Sequence, residues 1–72
     1  MMEKCYVIKF GISDPYYIAK WDGDPGRTYS EDSAMRFLAK GFALNAAKKI
    51  IAKYPERYNE NTHFEIVEIE AD

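Results

Sequence analysis

Apolar and polar positions alternate from Cys5 to about Ile12, with Tyr6, Ile8, Phe10 and Ile12 on one face and Val7 and Lys9 on the other. A period of two carried by β-branched and aromatic residues predicts a strand. Ser13-Asp14-Pro15 breaks it, because Asp bonds its own backbone and Pro fixes φ. Alternation resumes from Tyr16 to Trp21, placing Tyr16, Ile18 and Lys20 on one side and Tyr17, Ala19 and Trp21 on the other. Two strands across so short a turn predict an antiparallel hairpin. Asp22-Gly23-Asp24-Pro25-Gly26 is the strongest breaker in the chain and is too short for a domain linker.

Two patterns compete between Ser30 and Leu38. Thr28-Tyr29-Ser30-Glu31 resembles a capping sequence and would begin a helix running to Tyr54. Alternatively, Ser33 to Leu38 forms a third strand, with Met35 and Phe37 on one face and Ala34 and Arg36 on the other. The strand is preferred. It moves Gly41 to the helix entrance and so avoids a cost of about 1 kcal/mol in a helix interior. It also gives a partner to a hairpin that is marginal alone. From Lys40 to about Tyr54, the residues Ala43, Leu44, Ala47, Ile50, Ile51 and Tyr54 form an apolar stripe at helical spacing. Asn45, Lys48, Lys49 and Lys53 lie opposite, the lysines toward the end where the macrodipole favours cations. Pro55 ends the helix. After a polar loop, His63 to Ala71 reads as a last strand whose pattern shifts phase. Phe64 and Ile66 share one face, Val67 and Ile69 the other, so the strand is either buried on both faces or bulged near Ile66-Val67.

The predicted architecture is a single α+β domain over residues 1–72, in the order β-β-β-α-β. One helix packs on one face of a small, mainly antiparallel sheet. A single helix leaves the other face partly open, on a chain that is 15% aromatic. With 72 residues the domain buries only about 60% of its unfolded surface, so some rings must lie outside the core.

The net charge of −2 gives no general field for nucleic acid or an anionic membrane. A lone cysteine, Cys5, excludes an internal disulfide and fits a reducing cytoplasm. Met1-Met2-Glu3-Lys4 leads straight into the first strand without the apolar core of a signal peptide, and the apolar runs are too short to span a bilayer.

Chemistry is sparse. The single histidine, His63, and the single thiol, Cys5, have no supporting catalytic motif, and together they cannot make a four-ligand zinc site. Asp22-Gly23-Asp24 has the carboxylate spacing of a calcium loop but lacks the downstream ligands. Gly23 to Thr28 has the wrong glycine spacing for a phosphate loop and Arg27 in place of lysine. The expectation is a protein that is not an enzyme and uses no cofactor and no metal.

Tyr16-Tyr-Ile-Ala-Lys-Trp21, the Gly/Pro turn, Ala34-Met-Arg-Phe37, the Ala-rich helix and Phe64-Glu-Ile-Val-Glu-Ile-Glu70 together resemble small phage and prophage proteins. The resemblance spans nearly the whole chain and rests on arrangement, so it carries no site residue over. It implies a cytoplasmic accessory protein in a bacterial host, of a kind that often acts stoichiometrically on host machinery. Inhibitors of defence nucleases, such as anti-CRISPR proteins, are among them. The expected partner is therefore a host protein, met by Tyr17 and Trp21 as aromatic anchors with Glu68 and Glu70 as a charged rim. The alternative is a nucleic-acid-binding module that uses Lys48, Lys49 and Lys53. A free sheet edge also leaves self-association open, and the same glutamates can serve simply to protect that edge.

Overall fold

The computed structural model describes residues 3–23 and 25–71; Met1, Met2, Asp24 of the predicted turn and Asp72 after the last strand lie outside them. Strand β1 (Glu3–Phe10) lies between β2 (Tyr16–Ile18) and β4 (Phe64–Ala71), and β3 (Arg27–Thr28) pairs outside β2. All three pairings are antiparallel. Helix α1 (Lys40–Lys53) packs across β1 and β4, giving the expected α+β domain.

The alternation in β1 is buried on both sides. Ile8 and Phe10 join Ile18, Ala43, Ala47 and Tyr58 beneath the helix, while Cys5 and Val7 join Ala34 and Ile69 on the far face. Ala43 and Ala47 are the fully buried helix positions, and their small side chains let α1 sit close to the sheet. Register between β1 and β4 runs unbroken from Glu3↔Ala71 to Phe10↔Phe64. The phase shift in β4 therefore reflects burial on both faces and not a bulge: Phe64 and Ile66 pack on the helix-side cluster, and Val67 and Ile69 on the far one.

β1 and β2 pair only next to their turn, at Lys9↔Tyr17 and Phe10↔Tyr16. Gly11 opens that turn at φ +96°, a conformation costly to any residue with a Cβ. Beyond this point residues 33–37 enter between the two strands. The Met35 amide donates to the Ile18 carbonyl at 2.8 Å, the Lys20 amide donates to Ser33, and Phe37 and Tyr6 exchange two bonds of 2.9 Å. The predicted third strand is thus extended and bonded on both sides, but through the isolated bridges Ala19↔Ala34 and Tyr6↔Phe37. It serves two neighbours in turn and never builds a ladder with either. The regular third strand is Arg27–Thr28, which the sequence pattern presents as loop. The capping-like run opens a single 3-10 turn, Glu31–Ser33, with the Ser30 amide donating to Thr28 Oγ1.

Between β2 and β3 the chain turns on Gly26, which is buried. A Cβ there would land on the carbonyl oxygen of Trp21. The Gly26 carbonyl accepts from the Ala19 amide at 2.9 Å, so the turn is fastened to β2. The helix ends before Pro55, with the Tyr54 amide donating to Ile50 and the Tyr58 amide to Tyr54.

Candidate docking surface

The sequence groups Tyr17 and Trp21 as anchors on one open sheet face, and the structure separates them. Tyr17 is half-buried against the far-face cluster, where Val7 and Ala34 are fully covered and Cys5 is 4% exposed. That face is a second small core and not a bare surface. Trp21 lies past the end of β2, where the chain has left the pleat, so strand alternation no longer fixes its side. It is 52% exposed and lines a shallow hollow of about 150 Å³ on the helix side. Met35, Ile50, Lys53 and Tyr54 line the same hollow, and Asp22 is the carboxylate at its loop end. The Tyr54 hydroxyl donates to the Gly23 carbonyl at 3.1 Å, tying the helix end to the loop.

Glu68 and Glu70 lie on β4, the outer strand at the opposite edge of the sheet. Glu68 already has partners in its own chain: the Tyr6 hydroxyl donates to Oε1 at 3.3 Å, and the Lys4 ammonium lies 3.6 Å from Oε2. Glu70 stands opposite Lys4 in the register. A half-exposed pair of this kind is worth little, typically below about 1 kcal/mol. These glutamates do not border Trp21, so the four residues proposed from sequence form no single patch.

Lys48, Lys49 and Lys53 are all exposed on α1. The helix carries four lysines and no carboxylate. The Lys53 ammonium lies 5.5 Å from the Tyr54 ring centroid. At 100° per residue Phe42, Ala46 and Ile50 follow one another along the flank of α1 that reaches the Trp21 hollow, with Lys49 and Lys53 beside them. Phe42 is 64% exposed and Met35 36%. Leu38, just before the helix, is 82% exposed. Sequence reasoning missed Phe42 because it looked for a buried stripe. The signal was present in the i, i+4, i+8 spacing of Phe42, Ala46 and Ile50, which extends the apolar arc past the half-buried Ala46 and Ile50 to the exposed Phe42.

A second hollow, about 300 Å³, is lined by Asp14, Tyr16, Arg27, Thr28 and Tyr29. Its polar groups engage one another. The Tyr29 hydroxyl donates to Asp14 Oδ2 at 3.0 Å, and the Arg27 guanidinium lies 5.9 Å from the Tyr16 ring centroid. The hydrogen bond to Asp14, then that carboxylate's charge, raises the Tyr29 pKa above its ordinary value.

Cys5 and His63 stand far apart. Cys5 pairs with Ile69 in the register, and His63 lies six residues further along the β4 chain, a separation of about 20 Å at strand rise. His63 Nε2 is 3.7 Å from Glu65 Oε1. Among the described residues no three His, Cys, Asp or Glu side chains gather in a metal-holding group, and no helix is long and apolar enough to cross a membrane. Comparison with protein-family models, curated proteins and solved structures found no match to this chain.

Proposed function

We propose that this chain is a non-enzymatic accessory protein that acts by binding another protein. One observation carries the reading: apolar side chains of substantial size stand out of a small domain, Leu38 (82%), Phe42 (64%) and Trp21 (52%) near α1, with Ile12 (77%) on the β1–β2 turn and Tyr29 (71%) after β3. A small domain has few large apolar side chains to spare from its core, and clustered exposure of this kind marks contact surfaces. The resemblance of the sequence to small phage proteins narrows the partner to bacterial host machinery, a defence nuclease or related nucleic-acid-processing complex being the reading that follows. A cytoplasmic site of action belongs to the same proposal.

The test is capture from bacterial lysate with the tagged chain, run beside the folded double variant Trp21→Ala/Phe42→Ala. A host protein should be enriched by the first and lost with the second. Equal recovery by both would remove this flank from the proposal.

Lys48, Lys49 and Lys53 support a second reading, nucleic-acid binding, because α1 presents them with no acid among them. It predicts a mobility shift that weakens steeply with salt. The apolar residues bordering Lys49 and Lys53 favour a protein partner.

A further inference from the structure

We infer that the α1 flank is a groove for an acidic amphipathic helix of a partner protein, an inference that rests on the protein-binding reading above. Two independent features define the occupant. The first is shape. Phe42, Ala46 and Ile50 follow one another at i±4, Phe42 exposed and Ala46 and Ile50 half-buried against the helix-side core, and the hollow lined by Trp21, Met35, Ile50 and Tyr54 continues the line. From Phe42 to Tyr54 the strip runs about 18 Å along the helix axis. A ridge of that kind is what a second helix packs against, and two to three turns of a partner with apolar residues at i, i+3, i+4 and i+7 would cover it.

The second feature is charge. Lys49 and Lys53 border the strip, Lys48 lies on the outer face beyond them, and α1 contributes no carboxylate. The two ion pairs among the described residues, Lys4 with Glu68 and His63 with Glu65, both lie on the β1–β4 side and use none of these lysines. Among the described residues, then, none of the helix lysines is held in an ion pair. Glutamates or aspartates flanking the apolar stripe of the incoming helix would meet them, and a basic helix would be repelled. Asp22 and Lys53 line the same hollow and Lys49 does not, so the carboxylates of the partner belong alongside the helix at Lys49 and not over Trp21.

Trp21 is the single tryptophan and lies in the strip, so its emission reports occupancy directly. The probes are three synthetic helical peptides of equal length. One has an apolar stripe with glutamates around it, one the same stripe with lysines, and one the glutamate composition scrambled so that no stripe forms. A single-stranded oligonucleotide is the fourth probe. The acidic amphipathic peptide should shift Trp21 emission and bind the folded wild-type chain. Phe42→Ala should weaken binding roughly tenfold, as should Lys49→Glu/Lys53→Glu. All three positions are exposed, so circular dichroism should show unchanged folding.

Equal binding of the lysine peptide, or equal binding of the scrambled one, overturns the inference. So does a failure of the acidic peptide to bind, displacement of it by the oligonucleotide, or a concentration-dependent dimer in sedimentation that Phe42→Ala dissolves. Failure here is separable from failure of the broader reading. A lysate protein captured by the wild-type chain and lost with Trp21→Ala/Phe42→Ala, beside a peptide that does not bind, leaves protein binding standing and removes only the acidic helix.

Discussion

The hydroxyls of Tyr16 and Tyr58, 42 residues apart in sequence, meet at 2.6 Å at the edge of the helix-side core. The Tyr58 ring stacks on Phe10 at 4.8 Å between centroids, and Phe10 in turn faces Tyr16 and Phe64. The loop that follows α1 is thereby pinned to the start of β2.

Removing only that hydroxyl, in Tyr58→Phe, should cost about 0.5–1.5 kcal/mol. Tyr58→Ala also deletes the ring and should cost about 3–5 kcal/mol. Urea denaturation of the two variants gives both numbers. Near-equal losses would mean that the ring contributes little.

Burial, then the hydrogen bond with Tyr16, raises the Tyr58 pKa well above the ordinary tyrosine range. A phenol whose pKa is raised by folding stabilises the fold fully below the unfolded value of about 10, and that contribution is lost as pH rises beyond it. Stability should therefore fall on raising the pH above about 10, and less steeply in Tyr58→Phe. In an absorbance titration of the six tyrosines, the last to ionise should do so only as the chain unfolds.

Gly26→Ala should destabilise the domain by about 1–3 kcal/mol, because the added methyl meets Trp21 backbone and not a side chain that can swing aside. Thermal denaturation checks it. A neutral result would show the turn able to relax, and with it the placement of Trp21.

Residues 33–37 should exchange slowly despite lacking a regular strand. The amides of Tyr6, Met35 and Phe37 are each bonded across the gap between β1 and β2. Hydrogen exchange should protect them at a level near that of the β1 core. Rapid exchange at Met35 and Phe37 would show the segment lying on the sheet and not within it.

Cys5, 4% exposed beside Val7 and Ile69, should react slowly with a thiol reagent in the native state and promptly in denaturant. Prompt native labelling would mean that the far-face cluster is open.

Much of the fold was legible because period alone decides it. The β1 alternation, the α1 stripe ending at Pro55 and the apolar residues of β4 are local patterns, and each appears in the structure close to its expected bounds. The candidate docking residues were less legible. Trp21 was chosen as a surplus aromatic on a sheet face expected to be open, and its grouping with Tyr17 assumed that strand alternation runs on to residue 21, whereas the regular strand β2 ends at Ile18. Glu68 looked available because its partners, Lys4 and Tyr6, lie more than 60 residues away in sequence.

The residue pattern by itself determined the strands β1 and β4, the start of β2 and the single helix α1, since side-chain periodicity and Pro55 act within a few residues. Only the tertiary structure decided that residues 33–37 pass between β1 and β2, that Arg27–Thr28 forms the regular third strand, and that the far face closes over Val7. Those outcomes depend on which distant backbone groups and side chains satisfy one another, and no local period encodes that.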